Sequence, residues 1–405
     1  MSAHGFVPVE GGITAPRGFT ASAVAAGLKK SGKPDVALLA ADRPVPAAAV
    51  FTTNLVVAAP VVVSREHVAG RAVRAVVTNA GNANACTGAR GLGDARAMAA
   101  AAAVALDCAV TEVVVASTGV IGAPLPVDLV LPAISAAAAS LSAGSGLAAA
   151  EAIMTTDTFA KQVAVSLDVA GCTYTVGGMA KGSGMIKPNM ATMLGYITTD
   201  APLTAEACDT ALRSAVGRTF NRITVDSDTS TNDMCLLMAS GEAGSAPIGP
   251  DGPAFAPVAE AIHHVCGELA RMIVRDGEGA TKFVEVTVSG AASERDAELA
   301  AFAIADSPLC KTAIFGGDAN WGRVAMAIGK SGAFVDPDAF DVVFAGIPTC
   351  TAGSALPFDE AAAAAALARR DVTVEVDLHV GDHAATVWTC DLTYDYVRIN
   401  GDYRS

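Results

Sequence analysis

A mixed α/β fold in two domains is what this sequence predicts, and three observations carry the prediction. Short aliphatic runs with the period of strands alternate with helical stretches along the whole chain. The length, 405 residues, exceeds one ordinary core and suits two. Hydrophobic residues make up 52% and aromatics only 5%, so the interior must be built from small and branched aliphatics packed closely.

Taken in order, residues 35–41, 58–63 and 72–78 read as short strands, followed by a helix over 92–106 and a buried strand, VVVAS, at 113–117. The Ala-rich, Pro-interrupted stretch 124–151 is expected to be helical in part. Val163, Val165, Leu167 and Val169 alternate as in a half-buried strand. The Gly-rich VGGMAKGSGMIKPN then reads as a connection and ATMLGYI as a further strand. Ala207, Cys208, Ala211, Leu212, Ala215 and Val216 share one helical face behind Thr204 as N-cap, and residues 258–273 repeat that pattern. Val284, Val286 and Val288 mark a later strand. Residues 372–380 and 385–388, joined across Gly381-Asp382, read as a hairpin, and YVRIN near the end as a strand-like segment.

Composition excludes several functions. The formal net charge is −14 with no local Lys/Arg cluster, which disfavours phosphate backbones and anionic lipid as partners. Nine cysteines without a CxxC pair do not make a disulfide framework and suit a reducing compartment. The N-terminus lacks a basic region followed by an apolar one, and the longest apolar run, 98–106, falls far short of the ~20 residues of a spanning helix. A soluble, cytoplasmic protein is expected.

Chemical motifs are excluded next. None of the six histidines stands in HExxH or comparable metal spacing; His263 and His264 read as structural and His379 and His383 as solvated. GxSxG, GxGxxG and GxxxxGK[ST] are missing, and KGSG at 181–184 lacks the terminal Lys-Ser/Thr of a phosphate loop. Asp226, Asp228 and Asp233 do not follow the EF-hand pattern and read as turn carboxylates or pocket lining. No metal and no cofactor are expected, which leaves chemistry done by side chains alone.

The stretch KGSGMIKPNMATMLGYITTD, 181–200, places a Gly- and Pro-containing turn directly before Ala191-Thr192. Small residues there permit a strained turn in which a hydroxyl can attack its own preceding carbonyl. Cleavage would free the Thr192 amine to act as base for its own hydroxyl, the arrangement used where no histidine serves. The same residues suit a plain loop leading into a buried strand, and the segment alone does not choose between the two.

The wider sequence does choose. NAGNANACTG (79–88), ASTGVIG (116–122), IMTTDTFAKQ (153–162), MAKGSGMIKPNMATML (179–194), DSDTSTND (226–233), RDGEGATK (275–282), FGGDANWGR (315–323) and the tail YVRINGDYRS appear in one order. Together they resemble the glutamate N-acetyltransferase family, also called ornithine acetyltransferases, from Gly12 to Ser405.

That resemblance implies self-cleavage between Ala191 and Thr192, giving an α chain of 1–191 and a β chain of 192–405 in an α2β2 heterotetramer. It implies Thr192 as nucleophile and Thr118 with Gly119 as oxyanion hole. Thr155, Lys181, Thr192, Glu278, Asn400 and Ser405 would hold the amino-acid substrate. The implied fold is a two-domain α/β arrangement distinct from the four-layer fold of most N-terminal-nucleophile hydrolases.

The implied reaction is acetyl transfer from N-acetyl-L-ornithine to L-glutamate through acetyl-Thr192 in arginine biosynthesis; some family members also take acetyl-CoA. Charge suits Lys181 to the substrate α-carboxylate and Glu278 to an ammonium. Two alternatives stay open from sequence: an amidase or aminopeptidase with the same threonine, and a non-catalytic amino-acid-binding protein. Asn79, Asn82 and Asn84 are expected to hold loops, and Trp321 to pack against the site or an interface.

Overall fold

A computed structural model describes residues 5–187, 193–244 and 246–401. The chain forms two compact units, each assembled from separated segments. The first takes Met1–Gly182, Pro188–Asn221 and Thr229–Ile273; the second takes Ser183–Lys187, Arg222–Asp228 and Val274–Ser405.

The first unit is built on a nine-stranded mixed sheet. Its order is Val7–Pro8, Lys161–Val169, Cys172–Lys181, Leu194–Thr199, Met234–Ala239, Val36–Phe51, Ala72–Asn82 and Val113–Val120, with Phe19–Val24 also paired to Val36–Phe51. Two neighbouring pairs are parallel, and parallel strands need a crossover. Helix Ala205–Arg218 supplies it between Leu194–Thr199 and Met234–Ala239, and helix Gly88–Leu106 between Ala72–Asn82 and Val113–Val120. Alternation sorts the long strand onto two cores: Leu38 and Ala40 pack with Met98, Val115 and Ile134, whereas Leu39 and Ala41 pack with Val114, Tyr196 and Leu236. Thr204 caps its helix as expected, accepting the Ala207 N–H at 3.2 Å.

The second unit holds a six-stranded sheet ordered Ser354–Ala355, Ile347–Thr351, Asp341–Phe344, Asp371–Asp377, Phe283–Ala291, His383–Cys390. Helices Glu294–Ala305, Trp321–Gly329 and Glu360–Leu367 bring Ala301, Val324 and Leu367 onto Val286 and Val374. Trp321 lies partly buried against this core. Among the described residues no single helix is long and apolar enough to cross a membrane.

Four local expectations change. Residues 58–63 open helix Ala59–Val68 and are not a strand; Pro60 fits a first helical turn, where no N–H is needed, and packing outweighs the β-branched valines. VGGMAK belongs to strand Cys172–Lys181 and is not a connection. A Cβ at Gly177 would lie 2.1 Å from the Gly12 carbonyl oxygen, so glycine there serves close approach of two backbones within a strand.

The expected hairpin does not form: Phe283–Ala291 lies between Asp371–Asp377, to which it is parallel, and His383–Cys390, to which it is antiparallel. Its buried Val284, Val286 and Val288 gain partners on both edges that way. YVRIN lies in helix Tyr394–Gly401; Val397 is exposed, so its apolar residues did not mark a buried strand face.

Candidate active site

Thr118 and Gly119 come near the end of strand Val113–Val120. The strand runs parallel to Ala72–Asn82, pairing Thr118 with Ala80 and Gly119 with Gly81 before the register shifts. Gly119 has φ 134°, and a Cβ there would sit 2.3 Å from the Gly81 carbonyl carbon. Only glycine fits, which leaves the backbone N–H unshielded by a side chain.

Asparagines pin the surrounding loop, as expected of buried carboxamides beside irregular backbone. Asn79 accepts the Ser117 hydroxyl at 2.6 Å and donates to the Asn82 carbonyl at 2.8 Å. Asn82 donates to the carbonyls of Ala123 and Pro124, both at 3.1 Å. Asn84 donates to the Gly91 carbonyl at 2.9 Å.

Lys181, the last residue of strand Cys172–Lys181, sends its side chain to two of the other expected residues. Its ammonium donates to Thr155 Oγ1 at 2.8 Å and to Thr118 Oγ1 at 3.3 Å. An ammonium has donors only, so both threonine oxygens accept, and each hydroxyl proton remains for another acceptor. Lys181 therefore sets the polarity of Thr118: its O–H is left to be donated.

Asp157, which sequence reasoning missed, organises the group. Its carboxylate accepts the Lys161 ammonium at 2.7 Å, the Gly182 N–H at 2.7 Å and the Thr155 N–H at 3.0 Å, with Lys181 Nζ at 4.0 Å. Burial alone would raise its pKa, but the charges of Lys181 and Lys161 and these hydrogen bonds outweigh it and hold the carboxyl well below the usual range. Lys29 Nζ, which donates to the Ala152 and Pro34 carbonyls at 2.8 Å, adds a third cation whose charge interacts with Asp157 and Lys181. Asp35 is the nearest counter-charge of Lys29, as Asp157 is of Lys161. The only sequence trace of the pair was Asp157 standing four residues before Lys161, a spacing that would matter on a helix, whereas Lys161 opens a strand.

Asp233 behaves oppositely. It is buried, its Oδ2 has no hydrogen-bond partner among the described residues, and burial raises its pKa well above normal, against smaller opposing effects from Ser230 and Lys181. A raised carboxyl pKa contributes stability at low pH that is lost as pH climbs from the ordinary carboxylate range to the raised value. Asp233→Asn should lack that loss. Its stability relative to the parent, read as Tm at successive pH values, should therefore rise across that window; parallel curves would show that Asp233 titrates normally.

Glu278 and Asn400 meet within the second unit. Asn400 Nδ2 donates to Glu278 Oε2 at 2.7 Å, and the Glu278 N–H donates to the Ser183 carbonyl at 3.0 Å. A Cβ at Gly184 would lie 2.4 Å from Glu278 Cδ, so the glycine of the KGSG stretch makes room for a carboxylate. Asp226 accepts the N–H groups of Met185 and Ile186 at 2.6 and 2.8 Å, the turn role expected of it. Burial and the carboxylates of Asp226, Glu278 and Asp228 push the Tyr396 hydroxyl pKa up. This neighbourhood is anionic.

Thr118, Thr155 and Lys181 are thus brought together, as are Glu278 and Asn400. Ala191, Thr192 and Ser405 lie outside the described residues; Met193, buried, begins the next described stretch. Among the described residues no group of three or more His, Cys, Asp or Glu could hold a metal ion.

Comparison with known proteins gives this arrangement its class. The model of the ArgJ family matches residues 20–405. The arginine biosynthesis bifunctional protein ArgJ of Symbiobacterium thermophilum is 55% identical, with 98% of this chain and 99% of that protein covered. The mitochondrial ArgJ of Schizosaccharomyces pombe is 45% identical over 97% of this chain and 93% of its own. Among solved structures, an ornithine acetyltransferase from Mycobacterium tuberculosis, complexed with ornithine, is 43% identical with TM-score 0.44, covering 46% of this chain and all (100%) of that one.

The site and the match over nearly the whole length define an acyltransferase. The chain belongs to the ArgJ family, the bifunctional acetyltransferases of arginine biosynthesis.

Proposed function

We propose that Thr192 carries the acetyl group in the family's reaction, transfer from N-acetyl-L-ornithine to L-glutamate. The observation that carries the residue assignment is the Lys181–Thr118 contact beside Gly119. The first step is maturation. Thr192 Oγ attacks the Ala191 carbonyl; the peptide C–N bond breaks as an ester forms, the hydroxyl proton passing to the departing nitrogen and freeing the Thr192 amine, and water then cleaves the ester to give the Ala191 carboxylate and the free Thr192 hydroxyl. That amine then takes the hydroxyl proton as Thr192 Oγ attacks the acetamide.

Negative charge builds on the acetyl oxygen and is met by the Thr118 O–H and Gly119 N–H, donors typically worth ~3–4 kcal/mol each. The proton passes to the departing ornithine amine. Glutamate's neutral amine then attacks the acetyl ester, the C–Oγ bond breaks, and the proton the amine loses passes through the Thr192 amine to Oγ, which restores the hydroxyl. Lys181 and Thr155 serve the substrate α-carboxylate, Glu278 and Asn400 an ammonium, and Ser405 completes the substrate site. The relatives' designation as bifunctional supports acetyl-CoA as a second acetyl donor. The working form is a cytoplasmic α2β2 assembly of the 1–191 and 192–405 chains.

N-acetylornithine alone should add one acetyl mass to the 192–405 chain of mature enzyme, and glutamate should remove it as N-acetylglutamate, with parallel-line initial-rate plots. Intersecting plots and no acetylated chain under any quench would overturn the covalent route. Release of free acetate in place of N-acetylglutamate would make the protein an amidase.

A further inference from the structure

Just before strand Met234–Ala239 the chain makes contacts in two directions. Asn232, buried, donates through Nδ2 to the Ser117 carbonyl at 2.9 Å and to the Ala83 carbonyl at 2.6 Å. Its Oδ1 accepts the Thr231 hydroxyl at 2.6 Å, which fixes which end of the carboxamide faces the two carbonyls. Two residues on, the Met234 N–H donates to the Met193 carbonyl at 3.1 Å, and strands Leu194–Thr199 and Met234–Ala239 continue in parallel register from Leu194 opposite Met234. The backbone between is held from the other side, where Thr52 N–H donates to the Asp233 carbonyl and Ala58 N–H to the Thr231 carbonyl, both at 3.0 Å.

The Ser117 carbonyl belongs to the peptide whose N–H is that of Thr118. Met193 is the covalent neighbour of Thr192. Within three residues, then, the chain grips the peptide leading into the oxyanion pair with a side chain and the residue following the nucleophile with its backbone. We propose that Asn232 is a positioning residue for acyl transfer: with Met234 it forms a fixed brace that sets the spacing between the nucleophile and the Thr118/Gly119 oxyanion hole. This rests on the assignment of Thr192, Thr118 and Gly119 made above. Asn232 touches neither substrate nor reacting atoms; it acts through Ser117.

The physical case is one of tolerance. Donors stabilise an oxyanion only when aimed at where the charge develops, and a misplacement of about 1 Å costs roughly 10²-fold in rate. A Thr hydroxyl on an irregular strand end would drift by that much unless the preceding peptide were held. The neighbouring strand keeps Ser117, Thr118 and Gly119 in register, and the shift comes immediately beyond them, at Asn82. The Asn232 carboxamide, with the carbonyls of Ser117 and Ala83 as its two acceptors, ties the strands on either side of that shift.

The deciding variant is Asn232→Asp, which keeps size and shape while replacing the amide donor by an acceptor facing two carbonyls. Asn232→Ala accompanies it. On processed enzyme both should lower kcat roughly 30- to 100-fold while KM for N-acetylornithine stays within about twofold, because binding groups are untouched. Ser22→Ala is the matched control. It removes another buried side-chain hydrogen bond to a backbone carbonyl of the same unit, that of Ala137, and touches neither Ser117 nor the loop around Gly119, so it should lower Tm while leaving kcat within about twofold.

Parental kcat in Asn232→Asp, kcat and KM moving together, or an equal kcat loss in Ser22→Ala would overturn the brace. So would failure of Asn232→Asp to fold where Ser22→Ala folds, since the residue would then be structural. A folded but uncut Asn232→Asp chain supports it if Thr118→Ala also slows self-cleavage, as one hole serves both steps. Thr118→Ala separates the two levels of the argument: parental kcat there would remove the oxyanion assignment itself, whereas a fall there without one in Asn232→Asp would remove the brace alone.

Discussion

Thr192→Ala should be isolated as one uncut polypeptide of 405 residues, and its acetyl transfer should fall by roughly 10⁴-fold or more. Both losses follow from one atom. In the proposed scheme the hydroxyl that attacks the Ala191 carbonyl in maturation is the one that accepts acetyl in turnover, and alanine removes it from both steps. Thr192→Ser retains a hydroxyl at the same Cβ and should still be cut. Denaturing electrophoresis with intact-mass measurement reads the first loss, and N-acetylglutamate formation reads the second. A Thr192→Ala chain still cut before residue 192 would show that cleavage does not start from this side chain.

The largest stability effect is expected at Asp157. Lys161 has no exposed surface, and its ammonium is 2.7 Å from the Asp157 carboxylate. Asp157→Asn removes the carboxylate charge that faces that ammonium and Lys181, and breaking a buried pair in this way costs about 3–5 kcal/mol. Denaturant unfolding of the two proteins measures the difference. The sign with pH is fixed: a carboxyl held below its ordinary pKa contributes stability above the unfolded value of about 3.9 and loses it as pH falls towards the folded value. The gap between Asp157→Asn and the parent should therefore be full at neutral pH and close on acidification. Adding Lys161→Met should recover part of the loss, because the buried charge that Asp157 faced goes with it. A gap that does not change with pH would place the effect in packing and not in the ion pair.

Much of the fold was legible because periodicity survives wherever an element has one clear burial pattern. Lys161–Val169 and Ala205–Arg218 fall where the alternation and the helical face put them. Reading failed where two opposite demands look alike in sequence. Gly177 and Gly178 read as a connection because glycine more often marks a turn than a place where another backbone passes. The two C-terminal strands read as a hairpin because nothing local announces that a strand from about 90 residues earlier inserts between them.

The site followed the same rule. Thr118, Gly119, Thr155 and Lys181 stand in long unusual blocks, and the structure gathers them. Asp157 and Asn232 lie inside two of those blocks, but their importance comes from what they hold from a distance: a lysine across a strand end and a carbonyl 115 positions away.

The segment composition of the two units bears on how the two polypeptides that the proposed cleavage makes could ever be parted. A break between residues 191 and 192 lies within the Pro188–Asn221 segment of the first unit, not at a seam. Each product would own pieces of both units: 183–187 of the second unit come from the amino-terminal product, while 192–221 and 229–273 of the first come from the other. In the sheet, Leu194–Thr199 and Met234–Ala239 sit between Cys172–Lys181 and Val36–Phe51, so strands of one product are sewn between strands of the other. Neither half carries a complete set of hydrogen-bonding neighbours, and dilution cannot unpick the join without melting the sheet. Two genes encoding the halves would have to be expressed together, and each half made alone would present raw strand edges to its surroundings.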